Sequence, residues 1–553
     1  MKITKVTVRN FKCFREESFD LDDSIVIAGP NNSGKTTLLQ AIATWSLVLE
    51  RWFELNDFQK HGGFYARAPI SRQTFYSVPM RHFNMLWNDR KSNKRIKVEL
   101  EVATDDAGRI RMEIESDSSE QVYARPSKDV DSAALKKARD SYRTFFVPSV
   151  SGIDLDEPVY QRPKIEQLLG QGKSGDALRN LLAETSLDPD AWGQLTGLIE
   201  DMFGYTLLPP DDTGAHIIAE YREHPDGPRF DINAAGSGFL QMLLLLAFLV
   251  GRKNAVLLLD EPDAHLHVIL QDTIYDKLKR IAQASNTQLI VATHSDVLIN
   301  AIDPKDLLAM LGQPRKLASG DEKSSLIRSL SILSNTDILL AEEKGHILYV
   351  EGRTDLKILL EWALILEHRL ADFLQRPFWK PTVFETRVQG KGIKAQDHFK
   401  SLLLVQEGMR GVRIVDRDGN AGIPPREVAV EGRFLKLCWG RYEIENYLLH
   451  PSALARFVAK VAGKNAPQAS TEAVKKIMST ILSANAANDP LGDHVVLRDL
   501  KARYDILPPI LDQVGLQGFP YTRYNEIAAA MRSEEVHPDV AEILDATADH
   551  FNL

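Results

Sequence analysis

The sequence predicts an α/β protein built in two successive parts, and three observations carry that prediction. Gly29-Pro30-Asn31-Asn32-Ser33-Gly34-Lys35-Thr36 fits G-x-x-x-x-G-K-[ST] between a β-branched run, Ser24-Ile25-Val26-Ile27-Ala28, and an apolar-periodic helix opening at Thr37-Leu38-Leu39. The run Ala255-Val256-Leu257-Leu258-Leu259 is continuously apolar, as a parallel strand buried on both faces is, and it ends in Asp260-Glu261-Pro262. Past residue 345 three further short apolar runs each lead into acidic residues, the pattern of a second sheet that gathers ligands at its strand ends.

Bulk properties bound the answer. At 553 residues the chain is too long for one core, so two or three domains are expected. The 44% apolar and 26% charged content is that of an ordinary globular protein. A formal net charge of −9 excludes a uniformly basic nucleic-acid coat but suits clustered carboxylates that hold metal ions. Two cysteines, Cys13 and Cys438, lack metal-ligand spacing, which argues against zinc and disulfides and for a reducing, cytoplasmic setting. Met1-Lys2-Ile3-Thr4 runs straight into a strand pattern, and the longest apolar run, residues 242–250, is too short to span a bilayer, so no membrane partner is expected.

In chain order, residues 2–9 alternate Ile3, Val6 and Val8 with Lys2, Lys5 and Arg9 and read as an edge strand, followed by the turn Asn10-Phe11-Lys12-Cys13-Phe14. In the glycine loop the N–H groups of Asn31, Asn32, Ser33 and Gly34 would converge on phosphate oxygens at a helix N-terminus. Lys35 would reach the β/γ-phosphates, Thr36 would hold Mg²⁺, and Thr37 follows. That is a nucleoside-triphosphate site. Residues 94–124 alternate as antiparallel strands around Asp105-Asp106-Ala107-Gly108, and 143–148 read as another strand. Residues 165–203 have helical periodicity, within an insertion of about 160–205 that is either a dimerisation arm or a lid. Residues 217–232 return to strand alternation around His224-Pro225-Asp226-Gly227.

Next, Gly236-Ser237-Gly238-Phe239-Leu240-Gln241 opens an apolar helix, with Ser237 and Gly238 at its anion-attracting end; a simple Ser N-cap fits the same residues. Asp260 would bind Mg²⁺ through water, and Glu261 would orient or deprotonate the attacking water. Gln288-Leu289-Ile290-Val291-Ala292-Thr293 is a further buried strand, placing His294 to contact a γ-phosphate. These elements in this order resemble the ABC ATPases of the RecF/SMC-like branch: Walker A at 29–36, a signature at 237–241 that departs from L-S-G-G-Q, Walker B at 257–261 and a switch histidine at 294. The resemblance implies a homodimer in which the signature serine closes on ATP held by the opposite subunit. The Q-loop has no clear position, Gln161 being a weak candidate.

In the second part, Ile347-Leu348-Tyr349-Val350 ends in Glu351, with Asp355 one helical turn on, before a helix expected over 356–366. Val412-Arg413-Ile414-Val415 ends in Asp416-Arg417-Asp418, and Lys436-Leu437-Cys438-Trp439 leads to Glu443-Ile444-Glu445-Asn446-Tyr447-Leu448. Carboxylates converging without basic partners would repel unless divalent cations sat between them. Two metals about 3.5–4 Å apart would clamp the attacking and leaving oxygens of a phosphodiester. The D-x-D spacing puts both aspartates on one side of an extended backbone. Gln389-Gly390-Lys391-Gly392-Ile393-Lys394 is either a phosphate-holding turn or an ordinary basic loop. Helices are expected over 470–482 and 526–532.

The strand-end E…D-x-D pattern resembles a TOPRIM domain, and Glu-Ile-Glu-Asn-Tyr-Leu resembles TOPRIM nucleases of the OLD (overcoming lysogenization defect) family. The fold class is therefore α/β: an ABC-type P-loop ATPase with a helical insertion over 1–340, a TOPRIM α/β domain over 341–455, and a helical extension over 456–553. The resemblance implies ATP with Mg²⁺, and Mg²⁺ or Mn²⁺ at a nuclease site of Glu351, Asp355, Asp416, Asp418, Glu443 and Glu445. Lys501 or Arg503 would stabilise the pentavalent phosphate. It implies an endonuclease of bacterial anti-phage defence acting on DNA or, alternatively, RNA, in a homodimer or larger homo-oligomer, with an accessory defence protein as a further partner. The rivals are a tRNA-cleaving effector, a scaffolding ATPase with an inactive TOPRIM site, and a RecF-like repair ATPase.

Overall fold

The computed structural model describes the chain apart from residues 1, 76, 79, 93–94, 142, 148–152, 154–155, 171–172, 264–265, 267, 389–390, 418–423 and 463–469, and apart from the side chains of 141, 166, 170, 268–273, 383–388 and 391–392. The chain forms two compact units, Met1–Ile327 and Arg328–Leu553.

The first unit holds two six-stranded sheets. In one, the parallel strands Thr144–Val147, Val256–Asp260, Gln288–Thr293, Ser24–Ala28 and Leu307–Ala309 lie side by side, and Arg315–Lys316 closes the edge antiparallel. The phosphate-loop strand Ser24–Ala28 is buried along its whole length, as a parallel strand flanked on both sides must be. The other sheet is antiparallel, in the order Phe14–Asp20, Ile3–Phe11, Val98–Thr104, Gly108–Ser116, Gln121–Pro126, Ala68–Ser71. Ile3–Phe11 is thus paired on both sides and is not the edge strand its sequence suggests. Its alternation reports one wet face, which an interior antiparallel strand shares with an edge strand.

The 21-residue helix Lys35–Leu55 starts at the phosphate loop and its apolar side chains share one core with residues of both sheets. Trp45 and Trp52 are fully buried, and each indole N–H finds a carbonyl, Ile110 at 2.9 Å and Ala66 at 2.8 Å. Burying such a ring contributes about 1.5–3 kcal/mol, so the far end of this helix anchors its near end at the site.

The helical insertion comprises Arg162–Gly170, Leu178–Ser186 and Pro189–Phe203. The last two pack on Ser237–Gly251, a helix buried all round from Phe239 to Val250, which identifies it as a core helix. Buried Arg179 of the insertion makes a bidentate pair with Asp231 (3.0 and 2.8 Å), just before that helix. The alternation over 217–232 yields only the short strands Glu220–Arg222 and Phe230–Asp231, paired with each other beside Thr206–Leu207.

The second unit is built on the sheet Trp379–Pro381, His346–Val350, Arg410–Val415, Phe434–Cys438, Arg426–Ala429, parallel except for the last strand. A helix Arg353–Ile365 follows the second of these strands, and helices from Pro451 onward complete the core. The helix expected over 526–532 is only Asn525–Ala528. The chain turns there because Ala530 O accepts from Arg456 Nε at 2.8 Å and Met531 Sδ from Trp362 Nε1 at 3.3 Å; tertiary contacts override local propensity. Gln389 and Gly390 lie outside the described residues; Lys391–Lys394 is a strand paired with Val383–Val388. Neither Cys13 nor Cys438 is joined in a disulfide. Among the described residues no helix is long and apolar enough to cross a membrane.

Candidate active sites

The glycine loop is shaped for an anion. Gly34 sits at φ +95° as the N-cap of Lys35–Leu55, a left-handed position that any Cβ would strain, and a Cβ there would meet Phe14 Cζ at 2.6 Å and Cys13 Sγ at 3.2 Å. The turn between the first two strands therefore presses on the loop from outside. A Cβ at Gly29 would meet Met310 O at 2.6 Å. Ser33 Oγ is buried without a partner, an unsatisfied group that a phosphate oxygen would satisfy. Lys35 Nζ donates to Gly29 O (2.8 Å) and Pro30 O (2.9 Å) inside the loop. Burial pushes its amine down, while Glu261 and Asp260 hold it up.

Across the sheet, Thr36 Oγ1 donates to Asp260 Oδ1 at 3.0 Å, joining the two residues that the sequence assigns to one Mg²⁺. Burial, with Glu261 adding to it, pushes Asp260 up to about 6 against the Thr36 hydrogen bond, so a cation there would displace protons as well as water. Cradle, orphaned hydroxyl and hard-oxygen pair all fit a nucleoside triphosphate with Mg²⁺.

Glu261 takes φ +50°, a left-handed backbone rare for a glutamate; such strain concentrates at functional positions. Its N–H donates to Ala292 O at 2.8 Å, tying it to the neighbouring strand. His294 Nδ1 lies 2.7 Å from Glu261 Oε2, and the His294 N–H reaches the same oxygen at 3.3 Å. The histidine expected to act as a switch thus pairs with the candidate base. Asp263, which sequence reasoning passed over, is buried and accepts from Thr293 Oγ1 at 2.9 Å, bracing the same strand end. Glu261→Gln is expected to slow ATP turnover by about 10²–10⁴-fold, the usual worth of a positioned base, while a fluorescent ATP analogue still binds. Phosphate release near the parental rate would remove Glu261 from that role.

Ser237 is the exposed first residue of its helix; the N-cap is Gly236, and Ser237 makes no capping bond. The simple N-cap reading therefore fails. Gln161 is exposed, its carbonyl accepting from the Lys164 and Ile165 amides at the start of Arg162–Gly170.

In the second unit three neighbouring parallel strands end together, and the acids follow from that register. Glu351 follows Val350, Asp416 follows Val415, and Glu443 and Glu445 lie just past Cys438, the partner of Val415. The Asp416 N–H donates to Glu351 Oε1 at 3.4 Å, and Asp416 Oδ1 accepts from the Ile444 N–H at 3.1 Å. Asp416, Asp355, Glu443 and Glu445 are all buried, Glu445 completely. Burial first, then the surrounding Glu351, Asp355, Glu445 and Glu443, drive the Asp416 carboxyl far up. Burial with Glu445 raises Asp355 to about 7; burial, with Glu445 against Arg503, raises Glu443 to about 7.

The expectation of acids without a basic partner is corrected here. Arg503 enters the cluster: its Nε donates to Glu445 Oε1 (2.6 Å), its backbone N–H to Glu443 Oε1 (2.6 Å), and its Nη2 lies 3.7 Å from Asp355 Oδ1. Burial works against its charge, yet Glu445, Asp355 and Glu443 hold it raised. Lys501 stands beside the cluster: its Nζ lies 5.5 Å over the Tyr442 ring, and its charge acts on Glu443. Half-buried Arg413, missed in the sequence, faces Glu351 electrostatically, and its Nε has no partner. Asp418 lies outside the described residues. Among the described residues no three carboxylates stand ready to hold a metal ion. Glu445 Oε2 is nevertheless buried without a partner, and an all-oxygen donor set suits Mg²⁺ or Mn²⁺.

The chain is similar to the solved structure titled "Crystal structure of the SmcHead bound to the C-winged helix domain of ScpA", at 17% identity over 59% of this chain and 100% of that one, with a TM-score of 0.37. It is also similar to the "SMC head domain from Thermotoga maritima", at 15% identity over 58% and 100% of the two chains, with a TM-score of 0.33. No curated protein matches it. A family model described as "AAA domain, putative AbiEii toxin, Type IV TA system" matches residues 24–300, from the phosphate-loop strand past His294. That match takes in half of the sequence, and the chain belongs to this family of P-loop ATPase domains.

Proposed function

We propose that this protein couples ATP binding and hydrolysis in its first unit to divalent-metal-dependent cutting of nucleic-acid phosphodiester bonds in its second. The carrying observation is the gathering of Glu351, Asp355, Asp416, Glu443 and Glu445 past the carboxyl ends of three neighbouring strands, where burial first and then the surrounding acids disfavour the charged form of Asp416. Such an arrangement is costly without a counter-ion. A divalent cation bound there supplies Lewis-acid charge to a phosphodiester oxygen. Glu351 and Asp416 are its first candidate holders; Arg503, bound to Glu445, offers its remaining donors to the phosphate. A TOPRIM architecture and an OLD-type role in anti-phage defence are the finer reading, resting on the resemblance of the strand-end motifs. ATP-dependent closure of a homodimer through Ser237 would set when the second unit acts.

A second reading is favoured by Arg503 itself. Its ion pairs neutralise part of the cluster without metal, as they would in a scaffolding ATPase whose second site is inactive. Purified protein incubated with plasmid DNA and with tRNA, in Mn²⁺, with and without ATP, separates the two. Cutting of either substrate supports the nuclease, and intact DNA and RNA under all conditions leave the scaffold.

The pH dependence has a definite sign. Asp355 and Glu443 rise from 3.8 and 4.5 to about 7 in the fold, so between those values the folded state binds more protons than the unfolded. Their contribution to stability is therefore present at low pH and lost as pH rises through about 7. Mn²⁺ must displace the same protons, so its affinity is expected to rise between pH 6 and 8, by up to about tenfold per unit for each proton released. Calorimetric titration checks this; equal affinity at both pH values would contradict metal binding at these acids.

A further inference from the structure

We infer that Tyr504 and Tyr521 form a base-stacking platform beside the carboxylate cluster, and that the strand presented to that cluster is single-stranded nucleic acid. The inference rests on the nuclease reading and deepens it. Both rings are open to solvent, Tyr504 by 60% and Tyr521 by 45%. Their centroids lie 6.4 Å apart with the planes inclined at 56°. A single exposed tyrosine needs no explanation, but here the Arg503 side chain links Tyr521 to the acids, and Tyr504 is the next residue in the chain. The Arg503 guanidinium carbon is 5.7 Å from the Tyr521 centroid, and the same guanidinium binds Glu445 through Nε at 2.6 Å.

Arg503 and Tyr504 are consecutive in the wide helical turn Ala502–Ile506, a geometry frequent at functional sites. The arginine turns inward to the carboxylates and the tyrosine outward to water. Lys501, the residue before that turn, keeps its ammonium 5.5 Å over Tyr442, next to Glu443. Exposed rings, a guanidinium and an ammonium beside a phosphodiester-cutting centre are the parts with which proteins grip unpaired nucleotides. Rings presented this way have nothing to stack on in a duplex, whose base faces are already covered.

The test is fluorescence anisotropy of the full chain in Ca²⁺ with fluorescein-labelled mixed-sequence DNA of about 20 nucleotides, the same sequence as RNA, and the DNA duplex. One single strand or both should bind about tenfold tighter than the duplex. Tyr504→Ala and Tyr521→Ala should each weaken single-strand binding about tenfold, whereas Tyr504→Phe and Tyr521→Phe, which keep the ring, should retain it. ATP turnover, carried by the other unit, reports that each variant is folded. Duplex bound as tightly as single strands, or alanine variants that bind like the parent, would overturn the platform. Tyrosine-dependent single-strand binding by a chain that never cuts in Mn²⁺ would instead overturn the nuclease reading and leave the platform standing.

Discussion

Lys35→Ala is expected to abolish ATP turnover, lowering phosphate release by at least about 10²–10³-fold, the worth of one well-placed charge contact in a transition state. The amine is buried and lies within 3 Å of two loop carbonyls, Gly29 O and Pro30 O, so it is held over the loop rather than free in solvent. Its charge is sustained there by Glu261 and Asp260 against the cost of burial. Removing it leaves those two carboxylates facing the phosphates of ATP with one positive charge fewer, which penalises nucleotide binding as well as chemistry. The fold should tolerate the change, because Lys35→Ala relieves a desolvated charge and keeps a good helix former in the first turn of Lys35–Leu55. Phosphate release, nucleotide titration and a melting curve read these three effects. Turnover within tenfold of the parent would mean that the loop does not hold a triphosphate. Mn²⁺ binding by the carboxylates of the second unit should be unaffected.

What could be read in advance divides along the range of the interactions. The phosphate loop was legible because its parts lie within eight residues, and the pairing of Thr36 with Asp260 followed from the order of buried strands. The convergence of Glu351 with Asp416 was likewise visible in strand-end positions. Arg503 was named only alongside Lys501, because a guanidinium that reaches Glu445 from 58 residues away leaves no local trace. The placement of Ile3–Phe11 inside its sheet was invisible for a different reason: alternation encodes which face is wet and not how many neighbours a strand has. The left-handed backbone of Glu261 was equally hidden, since it accompanies a hydrogen bond to the Ala292 carbonyl, 31 residues away on the adjacent strand.

Asp416→Asn should separate the two chemistries. It is expected to abolish nucleic-acid cutting, by about 10³-fold or more if a metal-held phosphodiester is the substrate, and to leave ATP turnover unchanged. The substitution keeps the side-chain oxygen that accepts from the Ile444 amide at 3.1 Å, so the strand end retains its shape. It removes the carboxyl that burial and four neighbouring acids force furthest from its ordinary range. Without metal that change is relief: it removes a carboxyl whose charge burial and the neighbouring acids disfavour, so the melting temperature in EDTA should hold or rise. With Mn²⁺ it is loss, because an amide is a poorer ligand than a carboxylate and the stabilisation gained from the cation by mass action shrinks. Opposite effects on metal-free stability and on metal-dependent function are what a ligand position produces. A purely structural carboxylate, satisfied by the Ile444 amide and its other neighbours, would lose stability in EDTA and gain nothing from Mn²⁺ in either form. Glu351→Gln, at the oxygen that receives the Asp416 amide at 3.4 Å, should reproduce the loss of cutting. If both variants cut as the parent does, the carboxylates are a structural ion cluster and the second unit acts by binding alone.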